Sequence, residues 1–413
     1  MAFGKAKQDL GRISLITLAA CLMYAISAGI RGNYGIMLGS IVESAGISYS
    51  SVSFVLAIAQ LVFGIMQPVF GIVALKKSNA YVMGLGVFLI AAGLLMIPFS
   101  KSVVMLLLFL GVLLPAGTGA LCFGIIMSAV AAKLPEGKVS TVSGIVTASS
   151  GIGNALLSPA IQALIASIGL LGAMVFLSVP TLLMLPLILM FRGKAPDSHG
   201  NGDAPAGANT PEFRVSSLIR EASHSKTYLF LMAGFFTCGF HMAIIETHLY
   251  SQFISYGLSD QVAAYAFSIY GITIMAGSIL SGVVCGKVKM NMVLGSLYAL
   301  RVLIVALFFI VPRTASWVIV LAALLGLTGA STVIPTAGIV RKAFGIEKLA
   351  TLFGFVFLCH QIGSFLSAWL GGICVEATGT YLSIWAVDIV LCVMGALVSY
   401  TIPEENPLKA RGA

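Results

Sequence analysis

Arg31, in "GIRGNYGIML" (residues 29–38), puts a permanent positive charge inside an apolar run long enough to cross a bilayer. A guanidinium presents a planar fork that matches a carboxylate, so one chemistry available there is the holding of an organic anion. The plainer readings are a structural ion pair, or a side chain reaching out to the surface. "FHMAIIETHL" (240–249) supplies His241, Glu246 and His248, and "LCHQIG" (358–363) supplies His360 and Gln361. Imidazole titrates near neutrality and a buried carboxylate can be brought toward it, so a histidine or Glu246 can carry a proton. Glu246 can equally partner a cation or gate an entrance, and each histidine can be a packed, hydrogen-bonded residue. Arg301 and Asp388 also sit in apolar runs, where we expect structural roles or a mutual pair. A charge at such depth costs about 2.5–3.5 kcal/mol on insertion scales unless it meets a polar cavity or a partner.

Other chemistries lack their residues. The seven cysteines stand singly, with no Cys-x-x-Cys, and read as small apolar packing residues. No metal-ligand spacing, nucleophile–base pair or phosphate-binding loop stands out, so we expect no enzyme, no cofactor, no metal and no ATP-driven step.

These groups must be positioned by membrane helices. The chain is 59% hydrophobic and 9% charged, against about 25% charged in soluble domains, and its mean hydropathy is +1.05. Apolar stretches near the roughly 20 residues that a bilayer core requires recur along almost its whole length. They predict spans at about 13–41, 51–75, 80–99, 103–132, 139–167, 171–191, 227–256, 261–286, 290–312, 315–343, 348–375 and 380–402. The fold class expected is all-α, twelve transmembrane helices in two six-helix bundles: residues 1–192 and 227–413, joined by a polar cytoplasmic linker, 193–226. Basic residues such as Lys76, Lys77, Lys133, Lys138, Arg341 and Lys342 fall on one side, and only Lys101 and Arg313 on the other. The positive-inside rule then predicts cytoplasmic termini, in a multi-pass protein of the inner or plasma membrane. Residues 1–12 are too short and polar for a cleaved signal, so the first span is expected to stay as an anchor. The net charge of +9 reports this topology, and nucleic acid is not an expected partner.

The halves repeat each other. Gly46 and Gly71 stand 211 residues before Gly257 and Gly282, and Gly144 and Gly153 stand 210 before Gly354 and Gly363. In this register His241 takes the place of Arg31. On a helical wheel His241 and His248 share a face, whereas Glu246 lies roughly 140° from His241. Tyr34, one turn beyond Arg31, can offer a hydroxyl.

This plan resembles the major facilitator superfamily over the full chain. Its signature after the second helix, Gly-x-x-x-Asp-Arg-x-Gly-Arg-Arg, corresponds here to "GIVALKKSNA": Gly71, Lys76 and Lys77 match, and Leu75 replaces the acid. "GLSDQVAAYAFSIYGITIMAGSILSG" and the Tyr34-Gly35 pair resemble the monocarboxylate porter and oxalate/formate antiporter branch. Those porters carry an acid and an arginine four residues apart on helix 8, where this chain has Ile274 and Ser278. The resemblance implies a secondary carrier, as symporter or antiporter. We expect a monomer that moves a small mono- or dicarboxylate by alternating access, with protons coupled to it. Arg31, Tyr34, His241, His360 and Gln361 would bind substrate, and Glu246 and His248 would couple protons or gate. An efflux pump for amphipathic compounds is the alternative on the same fold.

Overall fold

The computed structural model describes residues 2–191, 220 and 222–403. Helix α1 runs Ala2–Gly32 and resumes after Asn33 as Tyr34–Ala45; α2 is Tyr49–Lys76, α3 is Asn79–Met96 and α4 is Val103–Ala131. A 51-residue apolar stretch, Thr141–Phe191, would be about 76 Å long as one helix, more than twice a bilayer core. Gly169 breaks it, with φ 69° and ψ 178°. We therefore count α5 as 136–168 and α6 as 170–191. The second half consists of α7 (Lys226–Ser255), α8 (Asp260–Cys285), α9 (Met290–Ile310), α10 (Ala315–Phe344), α11 (Ile346–Thr378) and α12 (Leu382–Thr401). Eleven helices among the described residues are long and apolar enough to cross a membrane, and the break at Gly169 makes twelve. The fold is the expected all-α, two-bundle architecture. Most of the 193–226 linker lies outside the described residues.

The repeat is built from shared turn chemistry. Gly46 and Gly257 both adopt the left-handed conformation, at φ 68° and 80°. Two residues on, Ser48 and Ser259 cap α2 and α8, accepting from the Ser51 and Val262 amides. Packing repeats as well. A Cβ on Gly153 would run into the Ala25 carbonyl of α1, and one on Gly363 into the Phe236 carbonyl of α7. Glycine thus lets α5 close on α1 and α11 on α7, in two equivalent crossings.

Arg301 and Asp388 do not pair with each other; both are fully buried and each has other partners. Arg301 Nη2 donates to the Thr328 and Gly329 carbonyls, each at 2.7 Å, where the α-helical part of α10 ends. A cation there answers carbonyls that the helix leaves open, and favours the negative end of its dipole. Asp388 instead takes His241.

Because the chain crosses twelve times, both ends of the described chain lie on one side, here called the terminal side. The far side is tied across the halves. Tyr49 of α2 reaches His248 Nδ1 of α7 at 3.0 Å, Tyr381 reaches Tyr49 at 3.1 Å, and the Ser50 amide donates to Glu376 Oε1 at 3.0 Å.

Candidate functional site

Arg31 lies in the last turn before α1 breaks at Asn33. The asparagine itself holds the break: Nδ2 donates to the Gly29 carbonyl at 2.7 Å, and Oδ1 accepts from Ser158 of α5 at 2.6 Å. Beyond the break, Gly35 faces the carbonyls of Glu246 and Thr247, where any Cβ would stand 2.8–2.9 Å from an oxygen. Those carbonyls belong to a π-helical turn in α7, Ile245–Leu249. The two interruptions meet, and they bring the halves into contact within their membrane-spanning helices.

The contact is a two-pronged ion pair. Arg31 Nη1 lies 2.9 Å from Glu246 Oε2, and Nη2 lies 3.3 Å from Oε1. Gln60 Oε1 of α2 is 3.4 Å from Nη1, and the guanidinium carbon sits 4.8 Å from the centre of the Phe63 ring. The Arg31 side chain is 24% exposed and that of Glu246 8%. Removing one member of such a pair leaves an uncompensated charge, at about 3–5 kcal/mol in buried examples. The Gln60 Nε2 group is buried without a hydrogen-bond partner among the described residues. The site therefore holds a fork already filled by the protein's own carboxylate, with a free amide donor beside it. Gly35→Val is expected to push α1 off the π turn. The measurement is transport by protein reconstituted at matched amounts, and a wild-type rate would show that this close approach is dispensable.

The other residues singled out in the sequence are distributed around this centre. Gln361 is brought close: its Nε2 donates to the Gln60 carbonyl at 2.6 Å and so joins α11 to α2. His360, half-buried, bonds Gln361 Oε1 through Nδ1 at 2.9 Å and stacks on Phe357 at 5.4 Å. Tyr34 is buried just beyond the Asn33 break. His241 points to α12 instead, its Nδ1 2.7 Å from Asp388 Oδ2, with both side chains fully buried. His248 Nε2 lies 2.8 Å from the Ala368 carbonyl, so it donates there and Nδ1 accepts from Tyr49. A neutral His248 satisfies this relay.

The two histidines of α7 both lie along α12: His241 meets Trp385 and Asp388, and His248 meets Tyr381 at the start of that helix while bonding Ala368 of α11. Glu246 and His241 do lie on different faces, toward α1 and α12. Cys392 completes a buried group with His241 and Asp388, its Sγ 3.8 Å from Asp388 Oδ1. Asp388 thus bonds both neighbours, while His241 Nε2 is buried without a hydrogen-bond partner among the described residues. Gln60 and Phe63 are the contributors that the sequence reading passed over. A glutamine amid "VLAIAQLVFG" was the available signal.

Twelve helices in two related halves, meeting at a charged pair, define a membrane carrier. A family model of the Major Facilitator Superfamily matches residues 20–315 and 252–413, and the chain belongs to that superfamily. It is thus a multi-pass membrane transporter and not an enzyme. Among relatives, it is 24% identical over 410 residues to an uncharacterised MFS-type transporter, YcxA, of Bacillus subtilis, covering 97% of each chain. It is 24% identical over 402 residues to monocarboxylate transporter 11 of Mus musculus, covering 95% of this chain and 88% of that one. Among solved structures, the nucleoside transporter NupG superposes with a TM-score of 0.72 at 13% identity, covering 96% of this chain and 100% of that one. A bacterial homologue of the human lysosomal transporter Spinster, inward-facing and unoccupied, gives 0.74 at 14%, covering 95% and 97%. At such identities the structures speak to the fold alone.

Proposed function

We propose that this transporter moves a small organic anion together with a proton, by alternating access, across the cell membrane with its termini in the cytoplasm. The observation that carries the reading is the two-pronged Arg31–Glu246 pair between the halves. Glu246 acts as an internal anion that keeps Arg31 compensated when no cargo is present. When Glu246 takes up a proton, its hold on the guanidinium loosens and a substrate carboxylate takes its place, helped by Gln60 Nε2. The site then carries one proton and one anion, and its net charge is the same loaded as empty. This favours electroneutral symport. His360 and Gln361 contribute polar contacts from α11. His241 holds α12, and His248 belongs to the tie on the far side.

Several observations support the cargo and the geometry. A relative spanning most of the chain is named as a monocarboxylate transporter. The helix 8 arginine of that branch is absent, with Ile274 and Ser278 in its region, and α1 supplies a guanidinium at the centre instead. The ties at Tyr49, His248, Tyr381 and Glu376 fit a state closed to the outside, with the site approached from the terminal side. The basic residues of that side support its assignment to the cytoplasm.

The experiment is uptake of labelled lactate, pyruvate, oxalate and succinate by proteoliposomes, with and without an imposed pH gradient. At least one acid should accumulate, and faster with the lumen alkaline. Failure of every acid, alongside protein-dependent movement of neutral or cationic amphiphiles, would replace this reading with efflux.

A further inference from the structure

From the guanidinium a row of aromatic rings runs across the boundary between the halves. From Phe63, under Arg31, the row crosses to Phe357 of α11, with ring centres 6.4 Å apart and planes at 65°. It continues to His360, stacked on Phe357 at 5.4 Å with planes only 4° apart. Phe63, Phe357 and His360 are each half-buried, and His360 also packs against Phe235 of α7 at 5.0 Å. Their placement follows from the helices. Phe63 lies one turn beyond Gln60 on α2, toward the terminal side. Phe357 lies one turn before Gln361 on α11, again toward the terminal side, because the two helices run in opposite directions. The Gln361–Gln60 bond fixes this crossing at 2.6 Å and spends the Gln60 carbonyl, while Gln60 Nε2, 2% exposed as a residue, is left without a partner.

The geometry points to a cargo that is an aryl carboxylate. Its carboxylate takes Arg31 and Gln60 Nε2, and its ring lies on the terminal side of them, against Phe63, Phe357 and His360. This rests on the anion reading and narrows it. An aliphatic wall would serve any apolar tail, whereas rings in offset and edge-on arrangements favour another π system beyond the area it buries. The Phe63–Phe357 contact leaves no gap to enter, so the cargo's ring extends the row and does not split it. Cargo with a flat tail is held at both ends, and a simple inorganic anion is held at one.

The test compares phenylacetate with cyclohexylacetate, which have the same charge and similar size but differ in the π system. Full-length protein in detergent is titrated with each acid, and the rise in Tm gives an apparent Kd. Phenylacetate should bind several-fold and up to about tenfold more tightly than cyclohexylacetate. Phe63→Leu and Phe357→Leu should bring that ratio toward one, with the unliganded Tm of each variant checking its fold. Equal or tighter binding of cyclohexylacetate by the wild type would overturn the inference, as would a ratio unchanged in both folded variants. If both acids bind and Arg31→Ala abolishes the binding, the anion reading stands without the aryl preference. If no carboxylate binds at all, both fall together.

Discussion

Glu246→Gln is expected to uncouple the carrier from protons while leaving it able to exchange anions. An amide has nearly the shape of a protonated carboxyl group, but it neither ionises nor gives up a proton. The variant therefore keeps Arg31 released, as the loaded state requires. Its difficulty comes when the site empties, because no internal anion returns to the guanidinium. An uncompensated buried charge costs about 3–5 kcal/mol, which corresponds to roughly 10²- to several-thousand-fold in the population of the empty, occluded carrier. Net uptake driven by a pH gradient should fall by about 100-fold or more, since every net cycle passes through that state. Counterflow passes only through loaded states and should persist, insensitive to pH. Both are measured in the same proteoliposomes, with labelled acid outside and either buffer or unlabelled acid inside. Glu246→Asp, one methylene shorter, should keep part of the gradient response. Gradient-driven uptake by Glu246→Gln at the wild-type rate would remove Glu246 from the proton pathway.

Much of this fold could be read from residue types because membrane helices are specified by composition and their turns by a few small residues. The apolar runs located the spans, and Gly46 with Ser48 and Gly257 with Ser259 marked equivalent turns, which the backbone bears out in left-handed glycines and serine caps. The relation of Arg31 to Glu246 was less legible. The residues are 215 apart in the chain, and the cation-partner role of Glu246 was one of three roles its type allowed. What decides their meeting is backbone: the break at Asn33, the closeness permitted by Gly35 and the π turn at Ile245–Leu249. A π turn has no residue signature, since it is a choice of hydrogen-bond partner. A wheel drawn at constant pitch puts His241 and His248 on one face, and both do meet α12, at Asp388 and Tyr381. The duplication aligns His241 with Arg31, yet Asp388 on α12 gives His241 a partner of its own within the second half.

Arg31 carries the largest expected loss. Arg31→Ala should reduce anion transport by at least about 100-fold, and Arg31→Lys by roughly tenfold or more. Lysine keeps the charge but loses the fork that meets two oxygens at once. A loss of activity alone is ambiguous, because the alanine variant leaves Glu246 buried opposite nothing and can lower stability by a few kcal/mol. The double variant Arg31→Ala with Glu246→Ala separates the two roles. It removes both charges, so its Tm should recover toward the wild-type value, while transport stays absent because no guanidinium remains for the cargo. Were the pair only a brace between the halves, removing both members would relieve the unpaired charge and transport would return along with stability. Recovered Tm without recovered uptake is the outcome expected of a guanidinium that binds what it carries, and recovery of both would reduce Arg31 to a structural cation.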